Sequence, residues 1–198
     1  MRDSGPVARP RLRVIAGTAG GRRLVAPPSV RPTTDRVREA LFASLGDHVR
    51  GARVLDLYSG SGAISVEALS RGASAAVLVD ADPAAVDACR TNLATTGLAD
   101  RAEIRASPVA AFLRAGPPGR PFDLVVADPP YEEAAPEIAA LLDFLGQPGW
   151  LTPSARVVLE TPTRGGAVSG TAGPGWETRS ERKYGDTLLT TIGPVPRI

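Results

Sequence analysis

Short apolar runs and amphipathic stretches alternate along most of this chain. Runs of branched apolar residues bounded by glycine, proline or aspartate predict buried strands, and apolar residues spaced three or four positions apart predict helices. From residue 53 onward the two patterns take turns, with strands at 53–57, 75–79, 102–105, 122–127 and 155–160 and helices at 61–71, 84–95, 109–115 and 136–145. This alternation predicts an α/β domain built on a mostly parallel, Rossmann-like sheet.

The C-terminal part departs from this alternation. Glycine, threonine and proline dominate residues 161–175, which predicts a loop. Beyond it, stretches 176–184 and 187–192 flank Gly185 and Asp186. That spacing predicts a hairpin of two antiparallel strands.

The N-terminal part predicts an arm and a hairpin. Residues 1–10 are small or proline and lack apolar periodicity, so we expect a flexible arm. Stretches 11–17 and 22–26 surround a glycine-rich turn and predict a basic β-hairpin extension within residues 11–30. Such a small hairpin is marginal alone and must lean on the rest of the protein.

A helix is predicted next, over residues 36–45. Its apolar residues fall on one stripe, Thr34 or Asp35 can cap its start, and Gly46 can end it. Residues 31–198 are then expected to form one domain, because the chain shows no internal repeat and no sign of a second core.

Composition excludes several classes of protein. The single cysteine, Cys89, permits no intrachain disulfide and no cysteine-rich metal site, which fits a reducing cytoplasm. No apolar run approaches the ~20 residues that span a bilayer, and the first ten residues lack the apolar core of a secretory signal. We expect a cytoplasmic monomer with no resident metal and no membrane contact.

Charge is unevenly spread over the chain. Residues 1–50 hold ten arginines against four acidic residues, whereas the whole chain carries a net charge of only +2. A basic N-terminal quarter on an acidic body suggests contact with a polyanion such as nucleic acid. The alternative is that arginine is simply abundant in this protein.

A glycine-rich turn follows the first strand of the alternating part. Gly60 and Gly62 allow a tight turn and a close approach of backbone to ligand, and Tyr58 and Ser59 belong to the same turn. The acid below it, Asp56, would repel a phosphate but can pair with an ammonium group. The stretch therefore favours a cofactor that carries an amino acid over a dinucleotide. The alternative is an ordinary turn between strand and helix that happens to use glycine.

The second strand ends in another acid, Asp80. In related folds an acid at this place binds ribose hydroxyls, and Ala81 would lie beside the nucleoside. Asp82 precedes Pro83 and is better suited to cap the next helix.

The fourth strand runs into Asp128, Pro129, Pro130 and Tyr131. Prolines cannot continue a central strand, so these residues should lie at the edge of the sheet where ligands bind. A carboxylate, rigid carbonyls and a flat ring suit a planar molecule with an amino group. A loop merely punctuated by prolines is the alternative.

Together these motifs resemble class I S-adenosylmethionine-dependent methyltransferases. The stretches Arg13–Leu24 and Arg31–Phe42, the latter beginning Arg-Pro-Thr-Thr-Asp-Arg-Val-Arg-Glu, closely resemble the RsmD family. The resemblance implies transfer of a methyl group from S-adenosylmethionine to N2 of a guanine in 16S ribosomal RNA. The substrate would be the small (30S) subunit or its assembly intermediate, and S-adenosylhomocysteine would be the product. One departure concerns the adenine site, where Ser107 and Pro108 stand in place of the usual polar or acidic residue.

The resemblance also suggests how the residues divide the reaction. Asp128 and the Pro129 carbonyl would accept hydrogen bonds from the guanine amino group, and Tyr131 would stack on an extruded base. The expected RNA contacts are Arg11, Arg13, Arg22, Arg23, Arg36 and Arg38. Arg36 and Arg38 should point away from the apolar stripe of their helix, or else pair with Glu39. Two other readings remain: a DNA adenine-N6 methyltransferase, and an RNA-binding assembly factor without activity.

Overall fold

A computed structural model describes residues 12–27, 34–130, 134–163 and 173–195; the predicted N-terminal arm lies outside them. The strands are β1 (Arg53–Leu57), β2 (Ala75–Asp80), β3 (Ala102–Ala106), β4 (Phe122–Ala127), β5 (Leu151–Pro162), β6 (Trp176–Tyr184) and β7 (Thr187–Pro194). The α-helices are α1 (Asp35–Leu45), α2 (Ala63–Ser70), α3 (Pro83–Thr96), α4 (Val109–Arg114) and α5 (Ala134–Leu145). Short 3₁₀ turns span Gly46–Val49 and Ala99–Arg101.

All described strands join one sheet, in the order β3-β2-β1-β4-β5-β7-β6. Strands β1 to β5 are parallel, and β7 lies antiparallel between β5 and β6. This confirms the predicted α/β class and the C-terminal antiparallel hairpin. The strand order reverses between β1 and β4, so the carboxyl ends of these two strands border the crevice in which such sheets bind ligands.

Two apolar clusters cover the two faces of the sheet. Helices α1, α2 and α3 pack on one face, and α4 and α5 pack on the other. Buried Trp150 stacks on Phe122 and meets Phe112 edge to face. Central strands are buried on both faces, which explains why their sequences read as continuous apolar runs.

The local signals for helix ends are confirmed in detail. Thr34 caps α1 by accepting from the Val37 amide, and Asp82 caps α3 with Pro83 in its first turn. By contrast, α2 begins at Ala63 rather than two residues earlier, because the glycine turn occupies Ser61 and Gly62.

Strand β5 is longer than the sequence predicts. It begins at Leu151, which pairs with Phe122 before a register shift at Phe122/Leu124, and it extends to Pro162. The irregular register accommodates Pro153, which cannot donate to a regular ladder. The first residues of the predicted 161–175 loop therefore belong to the sheet, and residues 164–172 lie outside the described ranges.

The predicted N-terminal hairpin is not confirmed as a pair of strands. Residues 12–27, here called the basic segment, hold one antiparallel bridge, between Arg13 and Arg23. Backbone bonds from the Val14 amide to the Arg22 carbonyl and from the Leu24 amide to the Leu12 carbonyl, each 2.9 Å, join its two halves. The segment is also anchored on α2 and α3, and its apolar side chains belong to the same core cluster as those of α1.

Among the helices of the described residues, none is long and apolar enough to cross a membrane.

Candidate active site

The turn after β1 depends on glycine at two positions. Gly60 and Gly62 have φ of +54° and +70°, and the Gly62 amide donates to the Ser59 carbonyl at 2.7 Å. A Cβ added at Gly62 would lie 2.9 Å from Leu78 Cδ2 and 3.0 Å from Cys89 Sγ. The turn therefore has no room for a side chain there and is held close to β2 and α3.

Tyr58 has a left-handed backbone although it is not glycine. Its φ is +62°, and a residue with a Cβ held in this region costs of order 1–2 kcal/mol. Its hydroxyl donates to Glu137 Oε2 at 3.1 Å. Burial, followed by the neighbouring Glu137 carboxylate, raises the pKa of the Tyr58 hydroxyl. The tyrosine thereby links the glycine turn to α5 as a neutral donor.

Asp80 ties the glycine turn to the end of β2. Its Oδ2 accepts from the Gly60 amide at 2.7 Å, and its Oδ1 accepts from the Asp82 amide at 2.9 Å. A carboxylate oxygen has two acceptor sites, so each oxygen of Asp80 can accept a further bond from a hydroxyl group. Asp82 itself accepts from the Ala84 amide, as expected for the helix cap.

Asp56 is a buried carboxyl, with only 3% of its surface exposed. Its Oδ2 accepts from the Ser65 hydroxyl at 2.7 Å and from the Ser65 amide at 3.2 Å. Desolvation raises the pKa of Asp56 to about 7 against the opposing effect of the Ser65 bonds, and the charges of Asp80 and Asp128 raise it further. Asp80 and Asp128 therefore both lie close enough to Asp56 to act on its carboxyl group.

Asp128 follows β4 directly and is half-buried at the edge of the sheet. Desolvation raises its pKa to about 6, so the carboxylate prevails at neutral pH. Pro129 is buried and Pro130 is exposed. The fourth residue of the motif, Tyr131, lies outside the described residues, and its predicted stacking role stays a prediction.

A cavity of about 430 Å³ opens beside these strand ends. Asp80, Ala81 and Pro130 line it. Its apolar wall consists of Val109 and Leu113 from α4 and of Leu141 and Phe144 from α5. A pocket with apolar walls and a few convergent polar groups suits a nucleoside.

Glu137 was missed in the sequence. It lines the cavity and contacts Tyr58, 79 positions earlier in the chain. The sequence spacing indicates this position, because Glu137, Leu141 and Phe144 lie four and three positions apart and so share one face of a helix.

Two residues predicted to contact the donor point elsewhere. Ser107 contributes to a separate cleft between β3 and α4, whereas its neighbours Pro108 and Val109 line the cavity. The Ser107 hydroxyl donates to the Pro108 carbonyl at 3.2 Å. Ser59 places its hydroxyl 3.6 Å from Cys89 Sγ and so faces α3.

The basic segment is anchored by buried polar groups of α2. The buried Glu67 carboxylate accepts from the amides of Ile15 at 2.7 Å and Ala16 at 3.0 Å, and it pairs with Arg71. The Ser70 hydroxyl donates to the Ala16 carbonyl and accepts from the Ala19 amide. Backbone approaches this closely at Gly17, where a Cβ would lie 2.0 Å from the Ser70 carbonyl oxygen. The segment is therefore a fixed part of the body.

Three of the arginines predicted to contact RNA lie in the basic segment. Arg13, Arg22 and Arg23 are exposed, and Arg22 donates to the Thr95 carbonyl on α3. The fourth, Arg11, lies outside the described residues.

The two arginines of α1 differ. Arg36 is exposed, but Arg38 is fully buried, so the prediction that it points outward is wrong. Its Nη2 donates to the Arg13 carbonyl at 2.6 Å and to Asp35 Oδ1 at 2.7 Å. The reason is non-local: the basic segment covers this face of α1, and Arg38 satisfies a carbonyl of that segment.

Groups of three or more His, Cys, Asp or Glu side chains that could hold a metal ion are not found within the described ranges.

The family model described as Conserved hypothetical protein 95 matches residues 12–193 of this chain. The chain belongs to the RsmD family. The match covers the basic segment as well as all seven strands of the sheet, except the last residue of β7.

Relatives of similar sequence are named as rRNA methyltransferases. The chain is 36% identical to ribosomal RNA small subunit methyltransferase D of Escherichia coli strain K12, over 88% of this chain and 85% of that protein. It is 38% identical to the Bacillus subtilis protein YlbH, named as a candidate rRNA methyltransferase, over 75% of this chain and 82% of that one.

Solved structures agree with the family. The Escherichia coli protein yhhF, described as a candidate methyltransferase, superimposes with a TM-score of 0.81 at 34% identity and covers 93% of this chain and 98% of its own. A Streptococcus mutans protein, SMU.776, was solved with S-adenosylhomocysteine. It is 17% identical to this chain, with a TM-score of 0.65 over 80% of this chain and 48% of that one. This likeness shows the shared class I methyltransferase fold alone.

Proposed function

We propose that this RsmD-family protein transfers the methyl group of S-adenosylmethionine to the exocyclic N2 of a guanine in 16S rRNA of the small ribosomal subunit. One observation carries the proposal: half-buried Asp128 follows β4, the neighbour of the strand that carries Asp56, and lies at the sheet edge beside a nucleoside-sized cavity that Asp80 lines. The similarity to the Escherichia coli small-subunit rRNA methyltransferase supports the choice of substrate.

The cavity residues fit the donor. The apolar wall from α4 and α5 would cover the adenine, and the two oxygens of Asp80 would accept the ribose hydroxyls. The ammonium group of the donor would favour the ionised form of Asp56, which burial alone disfavours. With Ser107 turned away, the adenine edge would meet Pro108 and Val109 instead.

The transfer step follows from Asp128. The lone pair of the guanine amino group is delocalised into the ring, and hydrogen bonds from its protons to Asp128 and to the Pro129 carbonyl would localise it. The nitrogen then forms a bond to the methyl carbon as the carbon–sulfur bond breaks, and the sulfur keeps that electron pair. Positive charge develops on the nitrogen, so a carboxylate beside it stabilises the transition state. The extra proton leaves the product amine afterwards.

RNA would be held by the exposed cations of the basic segment. Arg13, Arg22 and Arg23 lie on a body-anchored segment, and Arg36 stands at the start of α1 next to it. Phosphate contacts of this kind position a substrate and weaken with salt. Arg38 is removed from this set because it is buried.

A single assay separates this function from its competitors. Small subunits isolated from a strain that lacks the gene are incubated with the protein and tritiated S-adenosylmethionine, and the rRNA is digested to nucleosides. We expect label in N2-methylguanosine. Label in N6-methyladenine when unmethylated DNA replaces the subunits in the same incubation would support a DNA adenine methyltransferase. Binding to subunits without transfer would support an assembly factor.

A further inference from the structure

Asn92 on α3 touches both the basic segment and the glycine turn. Its Oδ1 accepts from the Val25 amide at 2.8 Å. Its Nδ2 donates to the Val25 carbonyl and to the Ser61 carbonyl, each at 2.8 Å. Val25 lies two positions after Arg23, and Ser61 lies between Gly60 and Gly62. One buried side chain therefore bridges the predicted RNA contact and the predicted donor contact.

The chemistry at this point requires an asparagine. A carboxamide has two N–H donors, and both are used here on carbonyl oxygens, while its oxygen accepts the Val25 amide. This donor and acceptor pattern also fixes the orientation of the amide. Only 1% of Asn92 is exposed, so water cannot replace a lost bond readily.

We propose that Asn92 is a positioning residue that couples RNA binding on the basic segment to methyl-donor binding at the glycine turn. The inference rests on the proposed function, because it takes RNA and S-adenosylmethionine as the two ligands. RNA phosphates on Arg22 and Arg23 would further restrain the stretch that carries Val25. Through Asn92 this restraint would reach the Ser61 carbonyl, so the glycine turn would lose less conformational freedom when the donor binds. Coupling of binding free energies is reciprocal, so bound donor strengthens RNA binding by the same factor.

Two neighbouring side chains touch only one of the two sites and provide matched controls. Ser70 anchors the basic segment through Ala16 and Ala19. Cys89, one turn before Asn92, donates to the Gly60 carbonyl at 3.4 Å and lies beside Ser59. Ser70→Ala should therefore weaken RNA binding, and Cys89→Ala should weaken donor binding, while the Asn92 bridge stays in place in both.

The test measures the dissociation constant of S-adenosylhomocysteine by equilibrium dialysis, with and without saturating small subunits isolated from the strain that lacks the gene. The ratio of the two constants reports coupling. For the wild type we expect a ratio of about five or more, at the low end of typical coupling between sites. In Asn92→Ala it should fall to about one, whereas Ser70→Ala and Cys89→Ala should keep the wild-type ratio.

A second variant guards against loss of folding. Asn92→Leu keeps the approximate size of the side chain but can neither donate to the Ser61 carbonyl nor accept from the Val25 amide. It should also lose the coupling, and its thermal unfolding midpoint shows whether it is folded. A ratio of one for the wild-type protein would overturn the inference. So would folded Asn92 variants that keep the ratio of the wild type.

Methyl transfer by the same wild-type sample keeps the two proposals apart. Transfer to guanine N2 with a ratio of one would refute the coupling and leave the proposed function standing. A ratio above five without any transfer would refute the proposed chemistry and leave the coupling standing.

Discussion

Replacing Asp56 with asparagine should change how the stability of this protein depends on pH. Burial raises the pKa of Asp56 from 3.8 to about 7 in the folded protein. Ionising it there costs about 4 kcal/mol more than in the unfolded chain, since each tenfold change in acidity is worth 1.36 kcal/mol. The folded protein holds a proton that the unfolded chain has released, so wild-type stability falls as pH rises from about 4 to about 7. Asp56→Asn removes this loss.

The size of the effect follows from the pH window. Between pH 5 and pH 8 the variant should gain on the wild type by up to roughly 3 kcal/mol, because the proton difference persists over about two pH units of that interval. Any constant cost of placing an amide against Ser65 cancels, since only the change with pH is compared. Urea unfolding followed by the fluorescence of buried Trp150 gives both free energies.

A second variant, Ser65→Ala, should change the pH range over which stability falls, in a known direction. The Ser65 hydroxyl donates to Asp56 at 2.7 Å and favours the ionised carboxylate. Ser65→Ala removes this bond, so it should raise the pKa of Asp56 in the folded protein and extend the fall in stability to higher pH. A difference between Asp56→Asn and wild type that stays constant within about 0.5 kcal/mol from pH 5 to pH 8 would refute the desolvation argument.

Three further predictions concern the reaction and the glycine turn. Asp128→Asn should lower the rate of methyl transfer by about 100-fold or more while the dissociation constant of S-adenosylhomocysteine changes only a few-fold; a large loss of donor affinity in equilibrium dialysis would place Asp128 in the donor site. Reversing the charges of Arg22 and Arg23 should raise KM for subunits and reduce the dependence of KM on salt. Unchanged kinetics would show that these two arginines do not contact RNA. Gly62→Ala should lower the free energy of unfolding by roughly 2–4 kcal/mol, from the left-handed backbone plus the clash with Leu78. Gly97→Ala, with a φ of +72° and open space around it, should cost only the backbone part in the same urea titration, and equal losses would refute the steric argument.

Features set by neighbouring residues were predictable from the sequence. Asp82 and Pro83 mark the start of α3, and Gly185 and Asp186 mark the turn between β6 and β7, because caps and tight turns depend on a few adjacent positions. The positions of Asp80 and Ala81 on the cavity rim followed from strand ends alone, since parallel strands deliver their last residues to one edge.

Features set by packing between distant parts were not predictable. Arg38 is buried because a carbonyl of the basic segment reaches it, and the helical stripe of α1 gives no hint of that. The Tyr58–Glu137 bond spans 79 positions, and the Asn92–Val25 bonds span 67. Such pairings depend on how helices dock on the sheet, which periodicity does not encode.

The anchoring of the basic segment on Glu67 also bears on the order of folding. The Ile15 and Ala16 amides find their acceptor about fifty positions later in the chain, on a helix that must itself pack on the sheet. During synthesis the segment therefore emerges well before the carboxylate that fixes it, and contacts of such high sequence separation form slowly. The basic segment is thus translated before α2 but anchored only after α2 has packed, and until then a nascent chain exposes the arginines of this segment on backbone that has no anchor.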